Sequence, residues 1–285
     1  MKLTHILLFY PLFACENQGN SKIEQNNTIL NFASDDLINE DSNTINGRIA
    51  TPKDFKRVST QQNGFGEFLR HLPLMPANSD VHLFNGDLKG NQNAHCAIIK
   101  MPVGNKDLQQ CADAVMRLRA EYFYQNGNYD KIQFNFTNGF LCSFSKWADG
   151  YRISVNGNNV NWIKTQNVST SRNNFESYLE TVFSYAGTLS LEKELNEKKT
   201  INIKPGDVFI KGGSPGHAVI VVDVAKNEKT GETLFLLAQS YMPAQEIHLL
   251  KNPNDGGISP WYSADFGNVL ITPEYTFTAN QLKEF

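Results

Sequence analysis

The stretch Pro205-Gly-Asp-Val-Phe-Ile-Lys-Gly-Gly-Ser-Pro-Gly-His217-Ala-Val-Ile-Val-Val-Asp223 reads as a strand, a glycine-rich turn and a second strand that opens on a histidine. From His217 to Asp223 the chain is apolar on both faces apart from its ends, the pattern of a strand covered on both sides. After turn residues near Lys226 to Gly231 comes another apolar run, Leu234 to Gln239. A hairpin that pairs Ala225 with Gly231 sets His217 opposite Gln239, with Cβ atoms roughly 5 Å apart. In that register the Gln239 amide holds one ring nitrogen of His217 and leaves the other free. A slip of one residue would send the two side chains to opposite faces.

Working outward, Asp207 to Lys211, Glu246 to Leu250 and Val269 to Thr272 are further strands, and Val81 to Phe84 and Cys96 to Met101 add two more. Ile132 to Phe136, Phe140 to Phe144 and Tyr151 to Val155 are separated by Asn138-Gly139 and Asp149-Gly150, hairpin-turn pairs that predict an antiparallel meander. Gly64 to His71 is a short helical candidate ended by Leu72-Pro73. Leu108, Cys111, Val115, Leu118 and Tyr122 recur at helical spacing and predict a helix from Leu108 to about Tyr124, capped by Asp107 with Gln110 three residues on. Its outer face is expected to carry ion pairs of Asp113 with Arg117 and Arg117 with Glu121. Phe175 to Ala186 is a second amphipathic helix, and the charged run from Leu191 is a solvated helix face or loop. Helices grouped apart from antiparallel strands make the class α+β.

Three residues carry the candidate chemistry. Cys111 lies in the opening turn of the long helix, where unsatisfied N–H groups favour a thiolate. His217 supplies a base and Gln239 an orienting group. Packing gives each an ordinary role as well: a small core thiol, a satisfied strand histidine and a buried amide. Gly213, Ser214 and Gly216 form a loop suited to close backbone approach to a ligand, and Tyr241 begins a segment that walls a cleft on this reading. His82 and His95 stand without a recognisable partner. Trp147, Trp162, Trp261 and Tyr262 are possible stacking surfaces for a glycan, with core packing the plainer role. No H-x-x-x-H, H-E-x-x-H or C-x-x-C spacing occurs, so neither a metal nor another cofactor is expected.

Composition bounds the rest. A chain of 285 residues with net charge -3 and no clustered Lys/Arg stripe argues against nucleic acid as a partner. Lys2 precedes a short apolar run, Ile6 to Ala14, that is too short to span a bilayer and reads as a signal-peptide core. Leu12-Phe-Ala-Cys15 resembles the bacterial lipobox, so residues 1–15 are read as a lipoprotein signal with Cys15 acylated after cleavage. Residues 16–49, rich in Asn, Gln, Ser, Asp and Glu, are expected to be a polar tether, and residues 50–285 a single domain. Cys96, Cys111 and Cys142 then remain, an odd number that leaves at least one thiol unpaired. Cys111 is expected to be free, with Cys96 and Cys142 either buried or joined.

Three segments, Leu108 to Tyr122, Gly206 to Ala218 and Ala238 to His248, resemble an uncharacterised DUF-type family of bacterial lipoproteins, which brings no assigned activity. More distantly, a cysteine at a helix start, Gly206-Asp-Val with His217 opening a strand, and a polar residue on the next strand are similar to permuted papain-like hydrolases of the NlpC and CHAP type. That resemblance implies an antiparallel sheet packed against a long N-terminal helix, with Cys111 as nucleophile, His217 as base and Gln239 as third residue. Those enzymes usually carry Asp before the cysteine and Ser or Gly after it, where this chain has Gln110 and Ala112. The expected function is that of an exported, lipid-anchored amidase or peptidase, periplasmic or cell-surface facing, acting on peptidoglycan peptides or other amide-linked envelope material. The rival is a non-catalytic lipoprotein binding carbohydrate or peptide, and a transferase using the same thiol is a third possibility.

Overall fold

The computed structural model describes residues 37–285, so the lipobox and Cys15 lie outside the described residues. An antiparallel sheet of nine strands organises the chain around two long central members, His217–Asn227 and Thr233–Gln239. Across the sheet the order runs His95–Ile98, His248–Leu250, Thr233–Gln239, His217–Asn227, Val208–Lys211, Leu282–Glu284 and Asn196–Glu197. Phe55–Arg57 extends it beside the far end of the His217 strand, and Tyr262–Ser263 does the same beside the Thr233 strand.

Apolar residues on both faces of the central strands bury the sheet on both sides, as their composition predicts. Ala218, Ile220, Val222 and Ala225 pack under the helices, whereas Val219, Val221 and Val224 face a second layer with Phe209, Phe235, Tyr262 and Phe277. The second layer includes the hairpin Val269–Ile271 with Thr276–Thr278. Alternation along the His217 strand slips once, because both Val222 and Asp223 serve the helical side. Leu236 pairs with Asp223 but Leu237 pairs with Val221, so one extra residue is accommodated as a β-bulge.

Asp223, fully buried by the slip, is met by the guanidinium groups of both Arg57 and Arg70. Two cations around one carboxylate tie the early segments of the chain to the centre of the sheet. Residues 37–49, expected within the tether, also reach the body. Ile45 and Ile49 are fully buried there, and Thr44 caps the short helix Ile45–Arg48.

The main helix is Cys111–Gln125 and lies against the His217 strand with Val115, Met116 and Leu118 in the core. It starts three residues later than the periodicity predicts. Asp113, not Asp107, closes its first turn, accepting the Gln110 N–H at 3.0 Å, while Asp107 accepts the Ala244 N–H at 2.7 Å. The helix is thus neither N-terminal in the chain nor capped as expected. Its supposed outer face is covered, with Asp113, Arg117 and Glu121 all buried. The helix Arg172–Tyr185 brings Arg172 onto Glu121 and Glu176 onto Arg117, burying the expected surface row of charges beneath two partners that still reach solvent.

The predicted meander holds only at its first turn. Gln133–Asn135 pairs with Leu141–Ser143 around Gly139, whose φ of +87° the Asn-Gly pair supplies. Phe144–Ala148 is then a helix, and Tyr151–Asn156 pairs onward with Asn159–Lys164. Asp149-Gly150 therefore ends a helix and does not turn a hairpin. Val81 to Phe84, expected as a strand, forms only isolated bridges at His82 and Leu83. Cys96, Cys111 and Cys142 are all free, which removes the disulfide alternative for Cys96 and Cys142. The α+β class with an antiparallel sheet is what the chain adopts.

Candidate functional site

Helix start, sheet and bulge converge at one end of the central strands. Cys111 is the first residue of its helix, with Gln110 as N-cap. Its sulfur faces the backbone N–H of Ala218, the residue after His217, and the N–H groups of Ala112 and of Cys111 itself. Burial nevertheless pushes the thiol up to about 11, and the nearby Asp113 charge adds to the rise against those three donors.

His217 is 2% exposed at the start of its strand. Its Nε2 stands 2.8 Å from Oε1 of Gln239. Tyr241, Tyr275 and Phe277 pack around the ring with centroids 4.6, 4.9 and 5.9 Å away. Burial pulls the imidazole down to about 4, with the Gln239 hydrogen bond and the Glu274 charge opposing. The phenols of Tyr241 and Tyr275 also feel the Cys111 sulfur, so thiol, imidazole and two tyrosines share one neighbourhood. Among the described residues no hydrogen bond joins Sγ directly to the imidazole. The sulfur faces backbone N–H groups, and Gln239 holds the ring.

The bulge makes the His217 to Gln239 contact. The observed pairing sets Leu234, not Gly231, opposite Ala225, an odd displacement that would put Gln239 on the wrong face. The extra residue at Val222 restores parity, and beyond Ala238 opposite Ile220 the Gln239 side chain emerges on the His217 face, diagonal to the imidazole.

Beyond the expected three residues the site includes Glu274, His248 and Lys89. Gln239 Nε2 donates to Glu274 Oε2 at 2.7 Å and approaches His248 Nε2 at 3.4 Å. His248 pairs directly across from Gln239 and is fully buried, which pulls its imidazole down to about 3. Its Nδ1 donates to the Glu246 carbonyl at 2.8 Å. Lys89, 5% exposed, forms an ion pair with Glu274. His248 was legible as the return partner of Gln239 across a short connection. Glu274 and Lys89 come from turns with no periodic signal.

The remaining candidates fall elsewhere or play structural parts. Gly213, with φ of +101°, and Ser214 are exposed on a loop that leans on the helix Thr188–Glu194, where Thr188 Oγ1 donates to the Gly213 carbonyl at 3.3 Å. Gly216 has no room for a side chain, since a Cβ would sit 2.4 Å from the Gly213 carbonyl oxygen. Trp147, Trp261 and Tyr262 are core residues, which leaves Trp162 as the partly exposed member of that set. Asp223 is occupied by its two arginines, and His82 lies exposed 3.5 Å from Glu246. His95 Nε2 donates to the Ser79 carbonyl at 3.0 Å, and the ring lines a hollow of about 600 Å³ with Cys96, Asp80 and Lys251, apart from Cys111 and His217. Among the described residues no helix is long and apolar enough to cross a membrane.

The chain belongs to the family described as domain of unknown function (4846), whose model matches residues 45–284. No curated protein and no solved structure matches it.

Proposed function

We propose that this member of the domain of unknown function (4846) family is a cysteine hydrolase of amide bonds. On this reading it is exported, held on a bacterial envelope membrane through Cys15, and works with machinery of the permuted papain-like type. One observation carries the proposal: the thiol at a helix start meets the N–H that follows His217, while Gln239 engages Nε2 of that histidine. Nδ1 is then the nitrogen left for the thiol proton.

Both groups rest uncharged, so the base acts during attack and not before it. His217 Nδ1 takes the Sγ proton as sulfur adds to the amide carbonyl carbon, and the carbonyl π pair moves onto oxygen. Backbone N–H groups at the helix start stabilise that oxyanion. Collapse breaks the C–N bond, and the amine leaves with the proton held by His217. Water then attacks the thioester carbon, giving its proton to His217, which returns it to sulfur as the acid departs. Tyr241 and Tyr275, half-buried beside the imidazole, supply the walls against which an acyl chain would lie. Envelope location makes peptidoglycan peptides or other amide-linked envelope material the proposed substrates.

Cys111→Ala tests the reading. It should abolish labelling of that position by a thiol-directed probe and the release of new amino groups from peptidoglycan sacculi, with a melting temperature close to wild type. Turnover that persists in Cys111→Ala would refute the mechanism, and a large stability loss with no wild-type turnover would assign Cys111 to packing. Cys15→Ser should release the chain from the membrane fraction.

A further inference from the structure

We propose that Glu274 is a positioning residue that decides which nitrogen of His217 carries the proton, by fixing the orientation of the Gln239 amide between them. The inference rests on the catalytic reading of His217 for its consequence in turnover, but its geometry stands independently.

Each assignment follows from a group that has no choice. The Glu274 carboxylate, neutralised by Lys89, can only accept, so the end of Gln239 that lies 2.7 Å from it is the NH₂. Lys89 is itself fixed, donating also to the Asn91 carbonyl at 2.8 Å. The Glu246 carbonyl can likewise only accept, so His248 carries its proton on Nδ1 and presents the Nε2 lone pair to the second amide hydrogen at 3.4 Å. Both donors of Gln239 are thereby committed, and Oε1 is the atom 2.8 Å from His217 Nε2. That nitrogen must donate, which leaves the lone pair on Nδ1. A flipped amide would set its oxygen against a carboxylate and against an imidazole lone pair. Tyr275, adjacent to Glu274 in the chain, packs on the His217 ring, so the same turn fixes both the ring plane and its proton.

In Glu274→Gln an amide replaces the acceptor-only group, so a flipped Gln239 finds a donor at position 274 and is opposed only by the His248 Nε2 lone pair at the longer 3.4 Å contact. A flip would place NH₂ on His217 Nε2 and move the ring proton to Nδ1, the nitrogen that attack requires to be bare. Long-range ¹H–¹⁵N correlation on ¹⁵N-histidine-labelled protein at neutral pH reads the tautomer directly, with the His217 signals assigned by their loss in His217→Gln. The wild type should show a single Nε2–H form. Glu274→Gln should show both forms and lose roughly 10- to 100-fold in kcat with little change in KM, less than the roughly 10²- to 10⁴-fold expected on losing the base. The exchanged pair Gln239→Glu with Glu274→Gln restores an acceptor-only group beside His217 and should recover the single Nε2–H form, a rescue that a packing role alone would not give. A wild-type Nδ1–H form, or a single unchanged tautomer in Glu274→Gln, would overturn the inference. A wild-type Nδ1–H form overturns the inference even if a variant fails to fold. Should the tautomers behave as described while Cys111→Ala leaves turnover intact, the hydrolase reading fails and the positioning of His217 stands.

Discussion

Alkylation of Cys111 by iodoacetamide should accelerate about tenfold for each pH unit between roughly pH 6 and 10, with no plateau on the acid side. The expectation follows from two opposed effects of burial, which pushes the thiol up to about 11 and pulls His217 down to about 4. Moving the proton from sulfur to imidazole in the empty site therefore runs uphill by about 10 kcal/mol, and the thiolate–imidazolium pair holds roughly one molecule in ten million. Simple ionisation to solvent is far more common, roughly one thiol in 4,000 at pH 7.4. Labelling thus follows the thiolate and ignores His217. Site-resolved mass spectrometry of the tryptic peptide spanning residues 107–117, sampled over time at each pH, gives the rate. Cys96 and Cys142, both pushed up to about 12, serve as slower internal comparisons. A rate independent of pH between about 5 and 8 would show a pre-formed charged pair and refute the reasoning. An uphill transfer of about 10 kcal/mol still fits beneath the barrier of about 16 kcal/mol that a turnover near 10 s⁻¹ implies.

Acid stability should report on His248. Its folded pKa of about 3 lies below the unfolded value of about 6.5, so the unfolded chain binds the extra proton. Stability is then fully present above pH 6.5 and lost as pH falls toward 3. Between pH 7.5 and 4.5 the His248 contribution to that loss is about 3 kcal/mol, and only this part is missing from His248→Gln, so their urea midpoints should converge on acidification. Equal pH dependence of the two proteins would contradict the burial. Asp223→Ala strands two guanidinium groups at the sheet centre and should destabilise by about 3 kcal/mol or more, checked by denaturant unfolding. Gly216→Ala forces a methyl against the carbonyls of Gly213 and Lys211 and should cost about 1–3 kcal/mol in the same assay, and a neutral result would mean that the loop yields easily.

Much of this arrangement is readable from the chain alone, and the failures are instructive. His217 at a strand start, Gln239 on its neighbour and Cys111 in the first turn of a helix were all legible from apolar runs and punctuation. The register was not. Val219 to Val224 is apolar but for Asp223, and a run without alternation carries no mark of where alternation slips. The helix start was displaced because Asp107 and Asp113 are both plausible first-turn carboxylates, and tertiary contact with Ala244 claimed the first. Asp113, Arg117 and Glu121 read as solvent-facing because spacing shows which residues share a face and not what lies over it. Glu274 and Lys89 reach Gln239 from distant turns, a meeting that no local pattern encodes.

The extra residue at Val222 turns chain length into a chemical variable. Adding or removing one residue in the turn from Glu228 to Gly231 leaves every side chain beyond Leu236 where it was, since the flanking pairs still lock together. Taking one residue out of the His217 strand does something else: the bump closes, the half of the strand before it slides past its neighbour, and the imidazole and the Gln239 amide part to opposite sides of the sheet. Deletion scanning along the two segments should therefore divide sharply, with tolerance in the turn and loss of the His217 environment within the strand.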